Sequence, residues 1–137
     1  MIIKISSDKE KAKSMLKMAE NTEKFIKQII QKIGLEEHQS LLAREYYEVM
    51  RGLASAILFV DGFKAIGENA HKEIIGYLSK YNGISEQEIL EIQELRIRRN
   101  KNSYEGKPIK SPYLENKKGK FENIINKLKI MLEKKLR

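Results

Sequence analysis

The 137-residue sequence contains no cysteine. This excludes disulfides, thiolate metal sites, iron–sulfur clusters and thiol catalysis. Two prolines and eight glycines are too few for a collagen-like or low-complexity chain. The longest apolar stretch, residues 53–60, is far shorter than the ~20 residues of a transmembrane helix. We therefore expect a single domain over residues 1–137 that lies in the cytoplasm and does not enter a membrane.

The usual residues of metal and cofactor sites are also scarce. The only histidines, His38 and His71, do not form a metal-spaced pair. No glycine-rich phosphate loop and no serine in a nucleophile-elbow context are present. We predict no metal and no cofactor, and we interpret both histidines as helix-terminal or packing residues.

Helical spacing of apolar residues dominates the remaining pattern. It predicts four long helices and one short one in an up-and-down-like all-α bundle. The long helices are expected over residues 8–33, 36–61 and 85–103 and from residue 112 onward, and the short helix follows Asn69. The second long helix is apolar nearly all round, so we expect it to be the most buried element. Only residues 2–5 are candidates for a strand.

Helix starts are predicted from three serines. Ser7 and Ser85 each begin a capping box, in which a glutamate three residues later reaches back to the cap. Ser111 precedes Pro112, which fits an N-cap followed by proline at the first helical position.

Positive charge is concentrated in the last third of the chain. Residues 1–95 hold 13 basic and 15 acidic side chains, whereas residues 96–137 hold 14 basic and four acidic ones. The C-terminal section therefore carries +10 against −2 for the rest. This asymmetry favours a polyanionic partner, although a generally lysine-rich composition would produce the same excess.

One dense cluster stands at the start of the basic section. It comprises Arg96, Arg98, Arg99, Asn100, Lys101, Asn102, Ser103 and Tyr104. Arginine suits bidentate phosphate contacts, and a nearby tyrosine offers a stacking surface for a base. We predict a nucleic-acid or nucleotide-binding site at Arg96, Arg98, Arg99, Asn100, Lys101 and Asn102. The alternative is a solvated basic helix end, which the helix dipole also favours.

Three segments resemble the HEPN family of helical bundles. They are residues 46–58 in the second long helix, residues 67–71 before the short helix, and residues 99–104. The family signature is an arginine, a polar residue and then a histidine, and Arg99 and Asn100 match its start. The resemblance covers about residues 8–135 and implies a HEPN-like bundle that forms a homodimer.

The sequence departs from this signature at Tyr104, where the closest register expects the histidine. HEPN ribonucleases need no metal and pair the arginine and histidine of two protomers across a cleft. Tyrosine titrates near ~10 and is a poor general base at neutral pH. The resemblance thus implies that Arg99 and Tyr104 occupy the catalytic positions of an RNA- or nucleotide-binding protein with weak or absent ribonuclease activity.

The resemblance also suggests a biological context. HEPN proteins are often encoded beside a minimal nucleotidyltransferase, as toxin with antitoxin, so we expect a role in such a toxin–antitoxin or defence-type system. In the alternative interpretation, the chain is a non-catalytic helical module that binds a minimal nucleotidyltransferase. In a third interpretation, it is an active ribonuclease in which His71 replaces the missing histidine.

Overall fold

The computed structural model describes all residues from 1 to 137 and confirms a predominantly helical bundle. Five helices follow one another along the chain: α1 (Lys9–Lys32), α2 (Gln39–Asp61), α3 (Ala70–Tyr77), α4 (Glu86–Glu105) and α5 (Tyr113–Leu136). Single 3-10 turns precede α2 and follow α3, at Glu36–His38 and Leu78–Lys80. None of these helices combines the length and apolarity that a bilayer span requires.

Helix α2 forms the centre of the bundle. It packs against all four other helices, and 13 of its 23 residues are buried. This confirms the prediction that it is the most buried element. Four charged residues of α2, Arg44, Glu45, Glu48 and Arg51, are half-buried.

The small sheet consists of strands β1 (Ile2–Lys4) and β2 (Phe63–Ala65), which pair antiparallel. The sequence pattern indicated the first strand only. Gly62 joins α2 to β2 with φ of +83°, and a Cβ there would lie 2.9 Å from the carbonyl oxygen of Ile5. The sheet thus directs the chain from the end of α2 toward α3.

The cap predicted at Ser85 is confirmed, with both hydrogen bonds of the capping box present. The predictions for Ser7 and Ser111 were wrong. The hydroxyl of Ser7 donates to the carbonyl oxygen of Val60 at 2.6 Å, since β1 brings it against the end of α2. Asp8 caps α1 instead, and its carboxylate accepts from the amide of Lys11 at 3.0 Å.

At the start of α5, the cap position is shifted by one residue. Pro112 occupies the N-cap position and follows a cis peptide bond, and α5 begins at Tyr113. The hydroxyl of Ser111 donates to the carboxylate of Glu115 rather than capping the helix through a backbone amide.

The lysines of α5 are largely neutralised by acidic groups of the bundle. Lys117 and Lys120 reach Glu91 at 2.8 and 3.5 Å, and Lys127 reaches Glu88 at 2.8 Å. Further pairs are Lys118–Glu122, Lys129–Glu23 and Lys135–Asp61. The positive charge that is concentrated in the last third of the sequence therefore forms a set of ion pairs in the fold, five of them between helices, rather than a uniformly basic face.

Candidate functional site

The predicted basic cluster lies on α4, and the helix distributes it over different faces. Successive residues are turned by ~100° about the axis, so Arg96 and Arg99 share a face from which Arg98 is turned away. The first two are half-buried, whereas Arg98 is exposed. The structure thus separates side chains that are adjacent in sequence.

Arg96 and Arg99 border a shallow groove of about 270 Å³. Asn100 and Tyr104 also line it from α4, and residues 67–72, including His71, form its opposite wall. We call this concavity the arginine groove. It brings together four of the predicted site residues with a histidine that the sequence pattern assigned to packing.

Helix α2 contributes charged groups beside the groove. Arg51 Nη2 donates to Glu48 Oε2 at 2.7 Å, and Arg99 Nη2 lies 3.5 Å from Glu48 Oε1. The guanidinium of Arg99 also lies 5.7 Å from the ring centroid of Tyr47. Helices α2 and α4 therefore hold Arg51 and Arg99 on the two oxygens of one carboxylate.

The half-buried guanidiniums of Arg51, Arg96 and Arg99 carry three positive charges but have only one carboxylate partner between them. Arg96 makes no ion pair, and its Nε donates to the neutral amide oxygen of Gln93 at 2.8 Å. The buried Nε of Arg51 has no hydrogen-bond partner within the protein. Glu48 is the only carboxylate within ion-pair distance of any of the three. The cluster thus carries an excess of positive charge that is partly shielded from water.

The charges of the same cluster act on the pKa of His71. Its ring centroid lies 6.3 Å from that of Tyr47. Burial lowers the pKa of His71 below its ordinary value of 6.5, and the positive charge of Arg51 lowers it further. Glu48 acts in the opposite direction, and Arg99 and Arg96 add to the lowering. The imidazole is therefore neutral at pH 7, since protonation would add another cation to the cluster.

The remaining predicted residues lie outside the arginine groove. Arg98 and Lys101 border a larger groove of about 680 Å³ on the outer face of α4, together with Leu90 and Ile97. Arg98 stacks on Tyr113, with 4.1 Å between its guanidinium carbon and the ring centroid, and lies 3.5 Å from Glu94. These contacts give Arg98 partners within the bundle.

Asn102 has a structural role. Its Nδ2 donates to the carbonyl oxygen of Lys107 at 3.0 Å, close to Gly106, which ends α4 with φ of +69°. This bond fixes the loop that leads to α5, so Asn102 belongs to the end of the helix rather than to either groove.

Tyr104 lies at the rim of the arginine groove, with 78% of its surface exposed. Helix α4 continues to Glu105, past Tyr104, and no hydrogen bond or ring contact joins the side chains of Tyr104 and Arg99. Tyr104 therefore offers an open aromatic face at the edge of the arginine groove.

Two residues beside the groove, Glu48 and Arg51, were missed from the sequence, and the nearness of His71 to Arg99 was not predicted. A signal for the first two was present, since a Glu and an Arg three positions apart interrupt the most apolar helix. No comparable signal existed for His71, because only the fold brings α3 against α4. No cluster of three or more His, Asp or Glu side chains is arranged to hold a metal ion.

Comparison of the chain with protein-family models, curated proteins and solved structures yields no match. The resemblance to HEPN proteins therefore stays a prediction.

Proposed function

We propose that this protein binds the phosphate groups of RNA or of a nucleotide in the arginine groove. The observation that carries the proposal is the grouping of Arg51, Arg96 and Arg99 near His71, with Glu48 as the only carboxylate within ion-pair distance of any of them. Guanidinium groups bind phosphate through paired, charge-assisted hydrogen bonds. A phosphate would supply the negative charge that Glu48 alone does not.

The rim of the groove supports a nucleic-acid ligand over a simple inorganic anion. Tyr104 presents an exposed ring on which a base can stack, and such stacking tolerates any base sequence. Asn100 provides an amide beside the arginines, although its oxygen already accepts from Arg99 at 3.2 Å. We therefore favour single-stranded RNA, in which bases are free to stack.

Binding of a labelled oligouridine to Arg99→Ala and Arg98→Ala tests this function. The two arginines are neighbours on α4, and each substitution removes the same charge. Arg99→Ala should weaken binding at least tenfold, the scale of one lost charge-assisted contact, whereas Arg98→Ala should bind nearly as wild type does. Affinity should fall as salt rises. Equal losses in both variants, or no binding by wild type at low salt, would contradict the proposal.

A second candidate function, metal-independent ribonuclease activity, is favoured by the position of His71. This histidine borders the same groove as Arg96 and Arg99, although it is not in the signature register. Its neutral imidazole can accept a proton at pH 7, as a general base must.

Incubation of RNA with wild type, His71→Ala and Arg99→Ala in the presence of a chelator tests this activity. Cleavage by wild type alone would support the ribonuclease. Identical background cleavage in all three samples would dismiss it without affecting the binding proposal.

The outer face of α4 supports the proposed homodimer. Leu90 and Ile97 are 60% and 46% exposed and lie seven residues apart, so they share one face of the helix. Antiparallel pairing of two α4 helices would set Leu90 against the partner's Ile97. Each of these exposed apolar side chains would thus be covered by the other, and Tyr104 would stay free at the rim of the arginine groove.

A further inference from the structure

We propose that Glu48 is a built-in competitor of the ligand, which occupies the arginines until a phosphate displaces it. This inference rests on the proposed function and assigns a role to the one anion in the cluster. Glu48 would then set how tightly, and for which anions, the groove binds.

The contacts of Glu48 suit displacement rather than permanent pairing. Its bond to Arg51 joins residues three apart on the same helix, and its approach to Arg99 is a single contact at 3.5 Å. Both arginines therefore face one monovalent carboxylate that is about one-third exposed. A phosphate offers more acceptor oxygens and can take paired hydrogen bonds from a guanidinium.

The position of Glu48 allows it to withdraw. Glu48 and Arg51 lie beside the arginine groove without lining it, and both line a second shallow concavity, between α1 and α2, of about 240 Å³. Rotation of the Glu48 side chain toward this concavity would release Arg99 while the pair with Arg51 persists. Arg99 is thus the residue for which Glu48 and the phosphate would compete.

Glu48 would therefore set how much negative charge an anion needs before it binds tightly. With Glu48 in place, the cluster presents two net positive charges, and the carboxylate repels an approaching anion. A weakly charged anion gains little from displacing Glu48, whereas a polyphosphate or a phosphodiester chain gains contacts from all three arginines. Removal of this carboxylate should therefore strengthen binding, the reverse of the usual effect of removing a polar group from a site.

The test is the affinity of a short fluorescein-labelled oligouridine for Glu48→Gln, Glu45→Gln and Arg99→Ala. Glu45 is the matched control, because it lies one turn before Glu48 on α2, is half-buried and makes no ion pair. Both glutamine variants raise the net charge by one. Glu48→Gln should bind roughly fivefold more tightly, the effect of one charge contact at ~4 Å in water, and Glu45→Gln should bind as wild type does.

The binding measurements separate the role of Glu48 from the proposed function. Unchanged or weaker binding by Glu48→Gln would overturn the role of Glu48, as would equal strengthening by both glutamine variants. Binding that Arg99→Ala leaves intact, or no binding by wild type, would overturn the proposed function and this inference with it. Should Glu48→Gln unfold, Glu48→Asp keeps the test, because the shorter side chain draws the carboxylate away from Arg99 and should also strengthen binding.

Discussion

At the scale of the residue, the unusual feature is a neutral histidine beside three arginines. Protonation of His71 is opposed by burial and by the surrounding guanidiniums, and Glu48 offsets only part of this effect. At pH values just below 6.5, this histidine binds a proton in the unfolded chain but stays neutral in the folded chain. The free energy of unfolding should therefore decline as the pH falls through this interval.

We expect an NMR titration of His71 in phosphate-free buffer to give a pKa below 6.5. Arg51→Gln should raise this pKa, because the positive charge of Arg51 lowers it more than any other nearby charge does. Bound oligouridine should raise the pKa as well. By linkage, RNA should bind more tightly at lower pH. A pKa of His71 at or above 6.5 in the free protein would show that the arginines do not act on it.

The structure brings only some of the predicted site residues together. Arg96, Arg99, Asn100 and Tyr104 were named because they are close in the chain and chemically distinctive, and they border one groove. Arg98 and Lys101 were grouped with them, but they border a different groove, since neighbours in a helix point to different faces. Glu48 and Arg51 join the cluster only through packing of α2 against α4, which the pattern of a single sequence does not specify.

At the scale of the element, local rules explain the helix that carries the site. Helix α4 begins at a complete capping box and ends at Gly106 in the left-handed conformation. Glu88 takes part in the box and also pairs with Lys127 on α5 at 2.8 Å. These contacts fix the start of α4 in the bundle, and the arginines lie two to four turns farther along the helix.

Ser85→Ala should lower the free energy of unfolding by about 1 kcal/mol, the typical value of an N-cap side chain. Ser103→Ala is the control, because Ser103 is an exposed serine in the last turn of the same helix. Its effect should stay within about 0.5 kcal/mol. Equal urea midpoints for the two variants would contradict the role of the cap.

Element boundaries were predicted well where side chains act locally and less well where tertiary contacts intervene. The Ser85 box needs only residues of its own helix. Ser7 instead bonds to Val60, a contact between distant segments that diverts it from capping. Strand β2 was missed for the same reason, since three residues form a strand only because β1 lies beside them.

At the scale of the whole molecule, the distribution of charge differs from its distribution along the chain. The excess of +10 in residues 96–137 favoured a polyanionic partner for the C-terminal section. The fold pairs most lysines of α5 with acidic groups, whereas the half-buried arginines beside α2, α3 and α4 have Glu48 as their only carboxylate partner. Arginines, although they number only six, therefore define the candidate site.

Assembly is the second property of the whole molecule. Light scattering should give twice the chain mass of 16.0 kDa for the wild type and a monomer for Ile97→Asp. Ile130→Asp is the control, since Ile130 is 54% exposed but lies on α5 and not on α4. A monomeric wild type, or dissociation by both substitutions, would contradict pairing through α4.

The central claim is that phosphate groups bind in the arginine groove. NMR of the arginine Nε–Hε groups during titration with a short oligouridine tests it most directly, because the chain has only six arginines and each reports on its own surroundings. We predict that the signals of Arg51, Arg96 and Arg99 move together and saturate, while those of Arg44 and Arg98 stay in place. Shifts confined to Arg98, or equal small shifts of all six, would contradict it.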